Sequence, residues 1–191
     1  MTTSPHRIDP DSFEAAYRLS PDPWNFESSW YEIRKHQLSL AMLPNARYAS
    51  CFEPGASIGV LSHGLAARCD RLVTVEASPT AVQVAKGRLQ ATPNVDVRCG
   101  SVPEDWSDEE FDLLVLSEIG YYFDQQSFSE LAKRSSSLIA TGATVLAVHW
   151  LGYSTDHLRH GHDVHIDLLA ALGAPKASYS EASFRIEVWH Q

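Results

Sequence analysis

Tyr48-Ala49-Ser50-Cys51-Phe52-Glu53-Pro54-Gly55-Ala56-Ser57-Ile58-Gly59 is the stretch on which the fold turns. Tyr48 to Phe52 reads as a short strand that ends at the acidic Glu53. A turn carrying Gly55 and Gly59 follows, and then a helix from about Ile58 to Arg68. Glycine allows a tight turn with positive φ and a close approach of backbone to ligand. A strand that leads through such a turn into a helix is the opening unit of a parallel sheet, because parallel neighbours need a crossover between them.

Downstream the alternation continues. Arg71 to Val75 is a second strand with Glu76 at its end. Pro79 to Gln90 is a helix, with Ser78 as its cap and Pro79 at the first helical position. Val95 to Arg98 is a third strand. Phe111 to Leu116 is a fourth, and its unbroken apolar run suits a strand covered on both faces. A helix over Ser127 to Ile139, a strand over Thr144 to His149 and a helix over His162 to Leu172 follow. The pattern predicts an α/β fold with a doubly wound, mostly parallel, Rossmann-like sheet and right-handed crossovers. Ala177 to Tyr179 and Phe184 to Trp189 lie too close together for a crossover helix, so they are expected as an antiparallel hairpin at the sheet's edge.

Upstream, residues 1–45 form a helical preface. A helix over Asp11 to Leu19, capped by Asp11 or Ser12, ends at Ser20-Pro21-Asp22-Pro23. Ser28 to Leu43 has helical spacing, with Trp30, Ile33, Leu38, Ala41 and Met42 near one face, and Pro44 stops it. The expected organisation is a single domain over 1–191, with the preface acting as a lid on a core from residue 46.

The bulk properties narrow the function. A chain of 191 residues with 44% hydrophobic and 20% charged residues is globular in composition. Its formal net charge of -9 offers no basic face, so no nucleic-acid partner is expected. Cys51, Cys69 and Cys99 are odd in number and without C-x-x-C spacing, which argues for free thiols rather than a disulfide framework. No secretory h-region and no apolar run near ~20 residues is present, so a cytoplasmic location with no membrane partner is expected.

In doubly wound sheets ligands bind beyond the carboxyl ends of the strands, near the point where strand order reverses. There lie Glu53-x-Gly55-x-Ser57-x-Gly59 after the first strand, Glu76 after the second, Gly100-Ser101-Val102 after the third and Ser117-Glu118-Ile119-Gly120-Tyr121-Tyr122 after the fourth. Each alone has a plain structural reading, as a tight turn or a surface charge. Their recurrence at four successive strand ends points to a nucleotide or nucleoside site. A dinucleotide fingerprint needs Gly-x-Gly-x-x-Gly to seat a pyrophosphate. Here Ser57 stands at the second glycine position, and Glu53 would repel a pyrophosphate. A carboxylate there suits a cationic ligand such as S-adenosylmethionine, with its ammonium and sulfonium. An NAD(P)-binding oxidoreductase is the competing reading.

The set resembles the class I S-adenosylmethionine-dependent methyltransferases, and more closely the nodulation protein S (NodS)-like N-methyltransferases. The resemblance rests on Asp22-Pro23-Trp24, Tyr31-Glu32 to His36, Glu53-x-Gly55 and Ser117 to Tyr122. It implies that Glu53 and Gly55, with Ser57 in the same turn, lie against the methionine part of the cofactor. Glu76 would bind the ribose hydroxyls, Ala77 would lie beside the adenine, and Ser101 and Val102 would flank its ring. Ser117 and Glu118 would line the methionine end. Trp24 and Arg34 would close over it, with Arg34 pairing to its carboxylate. Trp24 is equally readable as a packing aromatic and Arg34 as a solvated helix residue.

The resemblance also supplies a small-molecule acceptor, an amine nitrogen on an amino sugar or another primary amine. O-methylation of a small metabolite and non-catalytic cofactor binding remain open at this point. Tyr122, His149 and Glu118 are the candidates nearest the expected methyl, and Tyr122 and His149 are taken as the catalytic pair. Segment His149 to His165 holds five of the nine histidines, but their spacing fits no zinc motif, so no metal is expected and an acceptor-binding loop is the preferred reading. Trp150 and Tyr153 are expected as aromatic walls of the acceptor pocket.

Overall fold

The computed structural model describes residues 8–191, and the first seven residues of the preface lie outside them. In chain order the elements are α1 (Pro10–Leu19), α2 (Trp30–Met42), β1 (Tyr48–Pro54), α3 (Val60–Ala66), β2 (Cys69–Glu76), α4 (Pro79–Leu89), β3 (Val95–Cys99), β4 (Leu113–Ser117), α5 (Gln125–Ala140), β5 (Thr144–Trp150), α6 (Gly161–Leu172), β6 (Ala177–Ser180) and β7 (Phe184–Trp189). A single 3-10 turn, Gly120–Tyr122, sits between β4 and α5.

The seven strands form one sheet in the order β3-β2-β1-β4-β5-β7-β6. β1 pairs in parallel with β2 on one side and β4 on the other, so strand order reverses between β1 and β4. β7 runs antiparallel to β5, from Val145 opposite Trp189 to Trp150 opposite Phe184, and β6 closes the edge as the other arm of the hairpin.

The alternation of side chains along each central strand divides the core into two layers. Phe52, Leu114, Leu116, Val145 and Ala147 face α5 and α6, where Phe128, Leu131, Val164 and Leu168 meet them. Cys51, Leu113, Val115, Leu146 and Val148 face the other way, toward Leu61 and Leu65 of α3 and toward Leu38 of α2. Both faces are covered, which is why β4 reads as a continuous apolar run. Each fully buried aliphatic side chain here contributes about 1.5–3 kcal/mol.

Local chemistry sets the element ends. Ser78 caps α4 by accepting the Ala81 N–H at 3.1 Å, with Pro79 at the first turn. Asp124 caps α5 through the Ser127 N–H at 2.8 Å. α1 begins at Pro10, one residue before the expected start, with Asp9 as its cap, because the Asp9 carboxylate accepts the Asp11 N–H at 3.0 Å.

α2 departs from the sequence reading. Its buried side chains are Glu32, Lys35, His36 and Ser39, at helical spacing, while Trp30 is 69% exposed. The inward face of α2 is polar because part of it looks onto a cavity rather than only onto core. Among the described residues no helix is long and apolar enough to cross a membrane.

Candidate active site

Beyond the carboxyl ends of the parallel strands, and beneath α1 and α2, lies a cavity of about 420 Å³. That falls in the range of small-ligand sites, roughly 300–1,000 Å³. Of the candidates read from the sequence, Trp24, Gly55, Ser57, Glu76, Ala77, Ser101, Val102, Ser117, Glu118 and Tyr122 line it. Glu53, Arg34 and His149 do not.

The turn after β1 explains how a serine replaces a glycine. Gly55, Ser57 and Gly59 all have positive φ, at 79°, 53° and 78°. Side chains rarely adopt that conformation. Ser57 is held in it from two sides. Its N–H donates to Glu76 Oε2 at 2.8 Å, and its hydroxyl shares a 2.5 Å hydrogen bond with the Tyr17 hydroxyl of α1. Gly55 is obligatory for a second reason, since a Cβ there would stand 2.2 Å from Ile119 Cγ2.

Glu76 ends β2 with each carboxylate oxygen fixed by a backbone amide, Oε2 by Ser57 and Oε1 by Ser78, both at 2.8 Å. Burial raises its pKa, and the amides of Ser78, Ser57 and Ala77 oppose the rise. A carboxylate oxygen accepts more than one hydrogen bond. Glu76 therefore keeps acceptor capacity on the cavity side for a pair of hydroxyls.

At the other end, Glu118 has φ 57°, and its side chain is locked by three donors. Tyr121 donates its hydroxyl to Oε2, the Trp150 N–H donates to the same oxygen at 3.0 Å, and Lys35 Nζ lies 2.5 Å from Oε1. Lys35 also pairs with Glu32 at 2.9 Å. Burial works against the Lys35 charge, but Glu118 and Glu32 outweigh it and hold its pKa above the ordinary value. Burial raises Glu32. The charged side chains at the cavity wall are thus Glu32, Glu76 and Glu118 against Lys35, a net negative balance.

Aromatic rings complete the walls. Tyr17 packs edge-on against Trp24 at 5.4 Å and Phe13 against Tyr122 at 4.8 Å. Burial drives Tyr17 and Tyr122 above the ordinary phenol value, so both stay protonated. Trp150 and Tyr153 both line the cavity, together with His157, whose ring stacks on Tyr121 at 3.8 Å.

Three side chains are placed elsewhere for identifiable reasons. Arg34 lies one residue, about 100° of helix, from Lys35. It points to the hairpin, bonding Glu181 at 2.8 Å and the Tyr179 hydroxyl at 2.7 Å. Glu53 is buried beneath the turn, where its Oε2 accepts the Ser62 hydroxyl of α3 at 2.5 Å. Burial pushes its pKa to about 8. His149 falls on the same face of β5 as Val145 and Ala147, toward α6. Its Nε2 accepts the Gly120 N–H at 3.0 Å, its Nδ1 lies 3.3 Å from His165 Nε2, and His165 Nδ1 lies 2.7 Å from Glu187. Burial, then His165, drives its pKa well down. The ring supports the loop behind the cavity.

Tyr17, Glu32, Lys35 and Tyr121 carried no assigned role in the sequence reading. A signal existed for two of them: Glu32, Lys35, His36 and Ser39 repeat at i, i+3, i+4 and i+7, the spacing of one helix face. Tyr17 had none, being one aromatic on an amphipathic helix. Among the described residues no group of three or more His, Cys, Asp or Glu side chains is placed to hold a metal ion.

This arrangement has solved counterparts. A Pseudomonas syringae protein provisionally described as a methyltransferase is 35% identical, with a TM-score of 0.75 over 85% of this chain and 100% of that one. The N-methyltransferase NodS of Bradyrhizobium japonicum, solved with S-adenosyl-L-homocysteine, is 19% identical, with a TM-score of 0.79 over 93% and 95%. Among curated sequences, nodulation protein S of Rhizobium tropici is 29% identical over 53% of this chain and 43% of its own length. That of Bradyrhizobium diazoefficiens is 26% identical over 79% and 72%. The alignment thus spans less than half of the Rhizobium relative. The family model of nodulation protein S (NodS) matches residues 16–145, more than half of the sequence, and the chain belongs to that family.

Proposed function

We propose that the chain is an S-adenosylmethionine-dependent methyltransferase that transfers a methyl group to an amine nitrogen of a small-molecule acceptor. The observation that carries this reading is Glu76, a buried carboxylate clamped by two backbone amides at the end of β2, in a cavity whose charged groups are mostly acidic. Such a site repels a pyrophosphate and suits a nucleoside that bears positive charge. Family membership and the cofactor-product complex of the Bradyrhizobium NodS support it.

In this reading Glu76 holds the ribose hydroxyls, and Ala77, Ser101 and Val102 bracket the base. Gly55 and Ser57 give the close backbone approach. Ser117, Glu118 and Lys35 line the amino-acid end. Lys35, rather than Arg34, is the cation available to its carboxylate. Tyr17 and Trp24 cover the site from the preface, and Tyr122 walls the acceptor side. The sulfonium supplies an electrophilic methyl carbon. The protein's tasks are then to align the acceptor, exclude water and remove a proton.

Calorimetry with S-adenosylhomocysteine tests the reading. The wild-type chain is expected to bind, and Glu76→Gln to bind about 10- to 100-fold more weakly, from the loss of roughly 1.5–3 kcal/mol of charge-assisted hydrogen bonding. Labelled-methyl transfer to a panel of primary amines and alcohols then assigns the acceptor atom. Tight NADH binding without S-adenosylhomocysteine binding would overturn the proposal.

A further inference from the structure

We infer that His157 is the proton acceptor on the acceptor side of the cavity, taking a proton from the ammonium form of the amine. The inference rests on the methyltransferase reading above. An amine is mostly protonated at neutral pH, and its nitrogen lone pair is free only after an N–H bond breaks and the electron pair stays on nitrogen. The proton needs a neutral base within the site.

The other candidates at the cavity wall are already committed. Glu32 and Glu118 are ion-paired to Lys35, and Glu76 is held by two amides at the opposite end. Tyr17, Tyr121 and Tyr122 are driven upward by burial and keep their protons. His149 lies behind Gly120, with Nε2 taken by its N–H.

His157 is different. It lines the cavity, and its ring makes no hydrogen bond among the described residues: Nδ1 is buried in the wall, and Nε2 is the ring nitrogen left to meet an acceptor. Its ring is fixed rather than mobile. It stacks on Tyr121 at 3.8 Å and 12° and meets Tyr122 edge-on at 5.3 Å and Trp150 at 5.9 Å. The loop that carries it is pinned by Leu158 N–H to the Tyr121 carbonyl at 2.9 Å.

The charges around the ring suit the task. Burial is the largest influence and keeps the imidazole neutral. Glu118 and Asp156 act the other way and stabilise the imidazolium once the proton has moved, while His160 opposes it weakly. The same Tyr121 ring thus supports His157 by its face and locks Glu118 by its hydroxyl. The imidazolium returns its proton to solvent when the product leaves.

The test is His157→Gln in the full chain, assayed with the best primary amine from the panel. The expected result is a kcat lower by about 100-fold or more, with unchanged S-adenosylhomocysteine affinity. Wild-type kcat should fall on acidification with a midpoint in the imidazole range, whereas kcat of the variant should follow the free-amine fraction of the acceptor and keep rising with pH until the acceptor's own ammonium has titrated. His157→Ala regaining activity with added imidazole supports the same conclusion. If His157→Gln keeps kcat within threefold and keeps the wild-type pH profile, this inference fails while the methyltransferase reading stands. If the wild-type chain binds S-adenosylhomocysteine but methylates only oxygen, the amine reading fails and His157 loses its role with it.

Discussion

Glu53→Gln should make the fold less sensitive to pH. Glu53 is 2% exposed, and the hydrogen bond its carboxyl accepts from the Ser62 hydroxyl does not offset its desolvation, so its pKa rises from an ordinary 4.5 to about 8. A raised folded-state pKa means that the group favours the fold fully at pH values below 4.5 and loses that contribution as pH rises toward about 8. Between pH 5 and pH 7 the unfolded chain surrenders this proton while the folded chain keeps it, so the wild type loses stability on the order of 2 kcal/mol from this residue. Glutamine keeps the shape and an oxygen to accept from Ser62, and has no proton to lose. The variant should therefore gain about 2 kcal/mol on the wild type between pH 5 and pH 7, or roughly 4–8 °C in Tm for a chain of this size. Every other titrating group is common to both proteins and cancels in the difference. Thermal unfolding of both, without ligand, at half-unit pH steps is the assay. A Tm difference that stays constant across the window would refute the argument that Glu53 is buried as a neutral acid.

Lys35→Met removes the ammonium between the buried Glu32 and the partly buried Glu118 and leaves their two carboxylates without a cation between them. A loss of about 3–5 kcal/mol in urea unfolding at pH 7 is expected, and a loss below 1 kcal/mol would contradict the ion-pair geometry. Gly55→Ala adds a Cβ 2.2 Å from Ile119 Cγ2 at a residue with φ 79°, and should destabilise by about 1–3 kcal/mol and weaken S-adenosylhomocysteine binding, both readable in one thermal-shift titration.

The sequence by itself determined the α/β sheet, because period-2 and period-3.6 patterns and glycine turns are local signals. β1 to β5, their helices and the edge hairpin appear where the patterns put them, within a few residues at the ends. It also exposed the strand-end residues Gly55, Ser57, Glu76, Ala77, Ser101, Val102, Ser117 and Glu118, since in this topology a position after a strand is a position at the cavity.

What only the tertiary structure decided is where side chains one residue apart in sequence point. Arg34 and Lys35 are both cations on one helix, but about 100° separates them, and only the packing of α2 determines that Lys35 turns inward to Glu118 while Arg34 meets Glu181. His149 and Trp150 are neighbours on β5, but the pleat sends the first to His165 on α6 and the second to the cavity. Glu53 is an acid beside the turn in sequence and a buried, Ser62-bonded carboxyl in space. Chain position fixes which strand end a residue occupies. The rotation of each element against its neighbours fixes which side of the sheet its charge reaches, and that rotation is set by contacts distant in sequence.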